Sequence, residues 1–228
     1  MKTLVIVGAG KGLGLSVAKR FGREGFQVAL MARNVEKLQS MVDELNQNGI
    51  EASCFVADIF KKDQIEKALD DIKAKYGKID VLEFSPMAGN YPPTSVLELT
   101  GENAKDYFEG LVISAINIVN NVIPDMIERG EGSLLFTTGL SALYPIPMMS
   151  NVGIAQAGLR NYLAKLRAVV SPKGILVANR SLGVGIKAGT GAVNDPEVIA
   201  EMWYQVYSEK LSGDEEYPKG VTPATIIF

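Results

Sequence analysis

Val7-Gly8-Ala9-Gly10-Lys11-Gly12-Leu13-Gly14 follows the apolar run Thr3-Leu4-Val5-Ile6-Val7 and opens a helix-like segment from Leu13 to Gly25. Glycines therefore fall where a strand must turn sharply into a helix. Without Cβ atoms at Gly8, Gly12 and Gly14 the backbone can turn tightly, approach a pyrophosphate and bring the helix down onto the strand. The free N–H groups at the helix start then face the anion. A glycine-rich turn with no ligand has the same composition, but here a second apolar strand, Phe26 to Ala32, follows on schedule. That context points to a dinucleotide pocket.

Short apolar runs then alternate with amphipathic segments. Leu4–Val7, Val28–Met31, Ser53–Ala57, Val81–Phe84, Ser133–Thr137 and Ile175–Asn179 read as strands. Helical patterns cover residues 12–24, 35–48, 61–76, 103–129, 152–170 and 196–210, and residues 222–228 read as a last edge strand. The rhythm is that of one doubly wound parallel sheet, a Rossmann-type three-layer α/β sandwich, and residues 1–228 read as one dinucleotide-binding domain. Two segments without periodicity, 86–100 and 182–195, follow strand C-termini, where ligands bind in such sheets.

Composition narrows the function classes. The 228 residues are 47% hydrophobic with a net charge of −3 and no basic block, which argues against nucleic acid or an acidic membrane surface as partner. No stretch is long enough in sequence to read as a membrane span, and the N-terminal apolar run is too short for a signal-peptide core, so a cytoplasmic location is expected. One cysteine, Cys54, excludes an internal disulfide, and the absence of histidine removes His-based triads and most zinc sites.

Several landmarks in order resemble the short-chain dehydrogenase/reductase family across essentially the whole chain. They are the glycine pattern at Gly8, Gly12 and Gly14; Ala57-Asp58-Ile59; Tyr76-Gly77-Lys78-Ile79-Asp80-Val81-Leu82; Ile123-Pro124-Asp125-Met126 with Arg129-Gly130-Glu131-Gly132-Ser133; and Pro172-Lys173-Gly174-Ile175-Leu176-Val177. The resemblance implies a nicotinamide dinucleotide held by Gly8, Gly10, Lys11, Gly12, Leu13, Gly14, Asp58 and Ile59, a small-molecule substrate, and a homodimer or homotetramer paired through the fourth and fifth helices. Asp58 would hold the adenine or, alternatively, cap the helix that starts at Lys61. Where an NAD-selective member presents a carboxylate, this chain has Arg33, with Lys11 also cationic, so NADP(H) is expected over NAD(H). Arg33 could otherwise be a surface charge paired with Glu36 or Asp58.

The catalytic half of the pattern departs from the family. Aligning Gly153-Ile154-Ala155-Gln156-Ala157-Gly158 with the family's helix start puts Val152 at the tyrosine and Gln156 at the lysine. Valine has no proton to give, and a neutral amide cannot lower a neighbour's pKa, although Gln156 can still hydrogen-bond a ribose. The family's serine falls near Thr138-Gly139, with Ser141 two residues on, and its helix asparagine falls at Leu111. The Asn-Asn-Ala-Gly turn becomes Phe84-Ser85-Pro86-Met87. Replacement acids are sought in the loops: Tyr91, Ser141, Tyr144 and Lys187 could face a nicotinamide, or be packing lids and solvated charges. Tyr162 and Lys165 read as core and interface. The expected function is an oxidoreductase-like NADP(H)-binding protein in which hydride transfer uses non-standard residues and conventional ketone chemistry is negligible. The alternative is a non-catalytic NADP(H)-binding regulatory or structural protein.

Overall fold

The computed structural model describes residues 1–227. The strands Lys2–Val7 (β1), Phe26–Ala32 (β2), Ala52–Val56 (β3), Val81–Phe84 (β4), Gly132–Gly139 (β5), Ile175–Leu182 (β6) and Gly213–Tyr217 (β7) form one parallel sheet in the order β3-β2-β1-β4-β5-β6-β7, with the edge strands β3 and β7 only partly buried. β6 is buried at every position, as expected of a parallel strand covered on both faces. The order reverses between β1 and β4, which makes their C-terminal ends the switch-point crevice.

Helices α1 (Leu13–Gly22), α2 (Val35–Gln47) and α7 (Pro196–Ser208) bury their apolar faces on one side of the sheet. α3 (Lys62–Tyr76), α4 (Gly101–Phe108), α5 (Ser114–Arg129) and α6 (Ser150–Val170) cover the other side. The three-layer expectation therefore holds. Contrary to the sequence expectation, one stretch, 101–129, is long and apolar enough to cross a membrane; half of its most apolar window is buried, with Ala115, Ile118, Val119 and Val122 in the core under the sheet.

Two elements differ from the sequence reading. The edge strand is Gly213–Tyr217, whereas residues 223–225 form a 3-10 turn and, among the described residues, the strand pairing there is a bridge between Val184 and Ile227; Phe228 lies outside the described residues. The Gly-Asp-Glu-Glu-Tyr sequence lacks an apolar face, so periodicity conceals it, and its Asp214 is held instead by Arg160 at 2.7 Å. The helix expected over 103–129 starts at Gly101, capped by Thr100 and Asn103, and is interrupted by a π-turn at Glu109–Ile113. Gly110 in that turn lies so close to Ala88 and Phe60 that a Cβ would overlap both.

Candidate active site

The glycine loop is built as its composition requires, with different reasons at different positions. Gly8 has φ +83° and packs against Pro86 so closely that any side chain would overlap it. Gly14 presses on Ala9, which draws α1 onto the end of β1. Gly12 has nothing within 4 Å of the position a Cβ would take. Its space is open, and it lies beside the N–H groups of Leu13 and Gly14 that open α1, whereas the next two, of Leu15 and Ser16, donate to the Gly10 and Gly12 carbonyls at 2.9 and 3.2 Å.

A crevice of about 350 Å³ runs from this loop across the ends of β2, β3 and β4, lined by Gly8, Ala9, Gly10, Arg33, Asn34, Lys37, Ile59, Phe60 and Pro86 among others. Arg33 is exposed and, among the described residues, makes no ion pair with Glu36, Asp58 or any other acid. Lys37 stands one helical turn further on, its backbone N–H held by the Asn34 cap at 2.8 Å, and adds a second cation that sequence reasoning missed. Asp58 does not cap α3, whose N-cap is Lys61 without a side-chain bond. Its carboxylate accepts from the Phe60 backbone N–H at 3.1 Å, and Asp58 does not line the crevice, although Ala57 and Ile59 beside it do. Lys11, Gly12 and Leu13 are not on its wall either; Lys11 and Gly12 are exposed on the loop, and Leu13 is buried under it.

A second cavity, about 490 Å³, opens past β5 and is mainly apolar, lined by Val96, Leu99, Leu143, Ile146, Met149 and Ile154 with Ser141 and Tyr144. Two of the four loop candidates, Ser141 and Tyr144, thus meet in one place. Lys187 and Tyr91 do not line that cavity: Lys187 is exposed beyond β6, and Tyr91 offers its carbonyl to the Tyr107 hydroxyl at 2.9 Å. The loop over 86–100 is pinned to α6 by the fully buried Asn151, which accepts from the Thr94 N–H at 2.9 Å and donates to the Pro92 carbonyl at 2.9 Å. Between the two cavities, Ser141 Oγ donates to Gln156 Oε1 at 2.9 Å, and the Gln156 amide lies against Gly139. Val152, one turn earlier on α6, is buried in the core on that side. Tyr162 also packs there, its hydroxyl pushed up to about 12 by burial, consistent with a core position.

One more polar group lies near the crevice. Glu83 is wholly buried on β4 and accepts from Ser85 Oγ at 2.9 Å and Thr137 Oγ1 at 3.0 Å. Burial pushes its carboxyl up to about 7, against the two hydroxyl donors that pull it down.

The short chain dehydrogenase family profile matches residues 2–192. The chain belongs to that family, and the sheet order and the glycine crevice are the structural form of the match. Among curated relatives, a 3-oxoacyl-acyl-carrier-protein reductase of Staphylococcus epidermidis is 23% identical over 216 residues, covering 94% of this chain and 87% of the relative. An oxidoreductase of Sarocladium schorii is 28% identical over 176 residues, 77% of this chain and 69% of its own. Among solved structures, a short-chain dehydrogenase from Rhodopseudomonas palustris superposes with TM-score 0.82 at 24% identity, covering 97% of this chain and 98% of that one. L-sorbose reductase from Gluconobacter frateurii, solved with NADPH and L-sorbose, has TM-score 0.85 at 21% identity, covering 96% and 95%.

Proposed function

We propose that this chain is an NADP(H)-dependent oxidoreductase acting on apolar carbonyl or alcohol compounds, with the family's serine, tyrosine and lysine replaced. The observation that carries the reading is the crevice and the loop beside it: a glycine loop that excludes side chains at Gly8 and leaves open space at Gly12, and, at the β2 end of the crevice, Arg33 and Lys37 with no acid paired to either among the described residues. Those features fit a dinucleotide bearing a 2′-phosphate, because guanidinium and ammonium groups gain charge-assisted hydrogen bonds from phosphate. NADPH bound by the sorbose reductase neighbour supports the same choice.

When bound, the dinucleotide supplies the hydride. The chain's own residues do the rest. Gly10 to Gly14 and the α1 N-terminus hold the pyrophosphate, and Arg33, Lys37 and the exposed Lys11 hold the phosphorylated ribose end. Ile59 flanks the adenine and Asp58 sets the turn that carries it. Gln156 takes the lysine's position as a neutral hydrogen-bond donor, its carbonyl end fixed by Ser141. The apolar cavity past β5 receives the substrate. With Val152 at the tyrosine position no acid touches the substrate oxygen from α6, so turnover of standard ketones is slow.

The resemblance also supports a homodimer or homotetramer. Phe108 on α4 and Val169 on α6 are 39% and 61% exposed, and Ile116, Ile123 and Leu166 on α5 and α6 are only partly buried, apolar side chains that a second copy would cover. Light scattering tests this, and a concentration-independent monomer contradicts it. The function is tested by NADPH titration followed by a panel of apolar aldehydes and ketones monitored for cofactor oxidation. Saturable oxidation of NADPH is expected. Tight NADPH binding with no oxidation across the panel contradicts the oxidoreductase reading.

A further inference from the structure

Glu83 is an ionisable side chain that none of the roles above uses. It lies in β4, two residues before Ser85, where the chain leaves the strand and goes on to Pro86, Met87 and Ala88 in the crevice wall. Its register partners are Ile6 on β1 and Leu135 on β5, so its side chain shares the face covered by α1 and α7. A carboxyl in a parallel sheet core is costly, and an apolar residue there would cost nothing. The carboxyl itself has no exposed surface, but the residues that donate to it reach toward solvent. Ser85 and Thr137, which both donate to it, are half-buried and stand at the C-terminal ends of β4 and β5. Gly139, two residues past Thr137, touches the Gln156 amide.

The direction of the dinucleotide follows from the charges. Arg33 and Lys37 lie past β2 and fix the phosphorylated ribose there. A dinucleotide anchored at that end would cross β1 at the glycine loop and run on past Pro86, which lines the crevice next to Ser85, toward the C-terminal ends of β4 and β5. Its terminal ring is neutral when reduced and cationic when oxidised. We propose that Glu83 is the residue that distinguishes these two forms: as a carboxylate it stabilises the cationic ring, and as a carboxylic acid it leaves the neutral ring undisturbed. The inference rests on the nicotinamide dinucleotide reading of the crevice given above.

Several charged groups on the surrounding elements are engaged with one another. On α1, Lys19 pairs with Glu44, and Arg20 with Glu24 and Glu201; Arg23 closes the helix at its far end. On α7, Glu201 is taken by Arg20, and Glu197 sits in the first turn beside the Asp195 cap. Arg180 on β6 shares the face, but bonds the Asn179 and Leu211 carbonyls and lies 3.7 Å from Glu215. Lys11 is exposed on the loop. Among the described residues the polar partners of the Glu83 carboxyl are the two hydroxyls, so its protonation is free to follow a charge brought to the ends of β4 and β5.

The test is calorimetric titration of the full chain with NADP+ and with NADPH from about pH 6 to about pH 8, spanning the raised carboxyl. Both ligands carry the same 2′-phosphate, so its titration cancels in the ratio of affinities. The ratio should move toward NADP+ by about ten-fold as pH rises, the worth of roughly one pKa unit of linkage. Glu83→Gln should bind both nucleotides with a flat ratio. Thr137→Val, which removes one donor to the carboxylate, should shift the midpoint to higher pH and keeps the proposal testable if Glu83→Gln folds poorly. Infrared difference spectra on NADP+ binding should show loss of a protonated carboxyl band in the unaltered protein and no such loss in Glu83→Gln. Binding of both nucleotides with a pH-independent ratio, or an undiminished slope in Glu83→Gln, overturns this inference alone. Binding of neither overturns the dinucleotide reading and this inference with it.

Discussion

Ser141 donates its hydroxyl proton to Gln156 Oε1 across 2.9 Å, which fixes the amide so that its NH2 edge is the one left for a ligand. A neutral donor held in this way can position a ribose or a substrate oxygen, but it cannot shift the pKa of a neighbouring acid as an ammonium does. Ser141→Ala should therefore weaken NADPH binding by about 1 kcal/mol, the usual worth of one neutral hydrogen bond, with little effect on Tm. Fluorescence titration measures this, and an unchanged Kd in both Ser141→Ala and Gln156→Ala would remove the pair from the site.

The glycines of the loop separate into two kinds. Gly8→Ala forces a side chain into Pro86 at φ +83° and should cost about 1–3 kcal/mol of stability together with nucleotide binding. Gly12→Ala meets no protein atom, so its thermal unfolding should match the unaltered chain while NADPH binding falls. Equal effects of the two substitutions on Tm would contradict this division.

Glu83 sets a pH dependence of stability whose sign is fixed by its burial. Its folded value of about 7 lies above the ordinary 4.5, so the folded state holds a proton that the unfolded chain has released. Stability from this group is complete below about pH 4.5 and is lost as pH rises to about 7, in total about 3 kcal/mol. Urea unfolding at stepped pH should show this fall in the unaltered protein and a flatter profile in Glu83→Gln. A steeper fall in the variant would contradict it.

Installing Val152→Tyr with Gln156→Lys should raise carbonyl turnover, because a positioned general acid contributes typically ~10²–10⁴-fold. Val152 is buried, and the larger ring must turn outward from the core, so the variant's Tm should be followed alongside its rate. A stable double variant that binds NADPH and gains no activity would show that α6 does not present these two positions to the substrate.

The fold was legible because the strands are apolar runs bounded by turn residues and the first of them leads into glycines that only a tight strand-to-helix turn requires. β7 was not, because Asp214, Glu215 and Glu216 give it no apolar alternation; its hold on the sheet comes from backbone pairing and from Arg160. The cationic end of the crevice was partly legible: Arg33 follows a strand directly, whereas Lys37 enters only once α2 brings it round by a turn. Glu83 sits inside a Val-Leu-Glu-Phe strand and gives no local sign of its role, since one of its partners, Thr137, is 54 residues away. Asn151 was hidden for the same reason, its partners lying 57 and 59 residues earlier in the chain.

Parallel titration of the purified chain with NADPH and NADH, repeated on Arg33→Ala, bears most directly on the proposed function. NADPH should bind more tightly than NADH by a factor corresponding to about 1.5–3 kcal/mol, the worth of a charge-assisted hydrogen bond, and Arg33→Ala should remove most of that difference while leaving NADH binding unchanged. Equal affinities for the two dinucleotides in the unaltered protein, or no binding of either, would contradict the account.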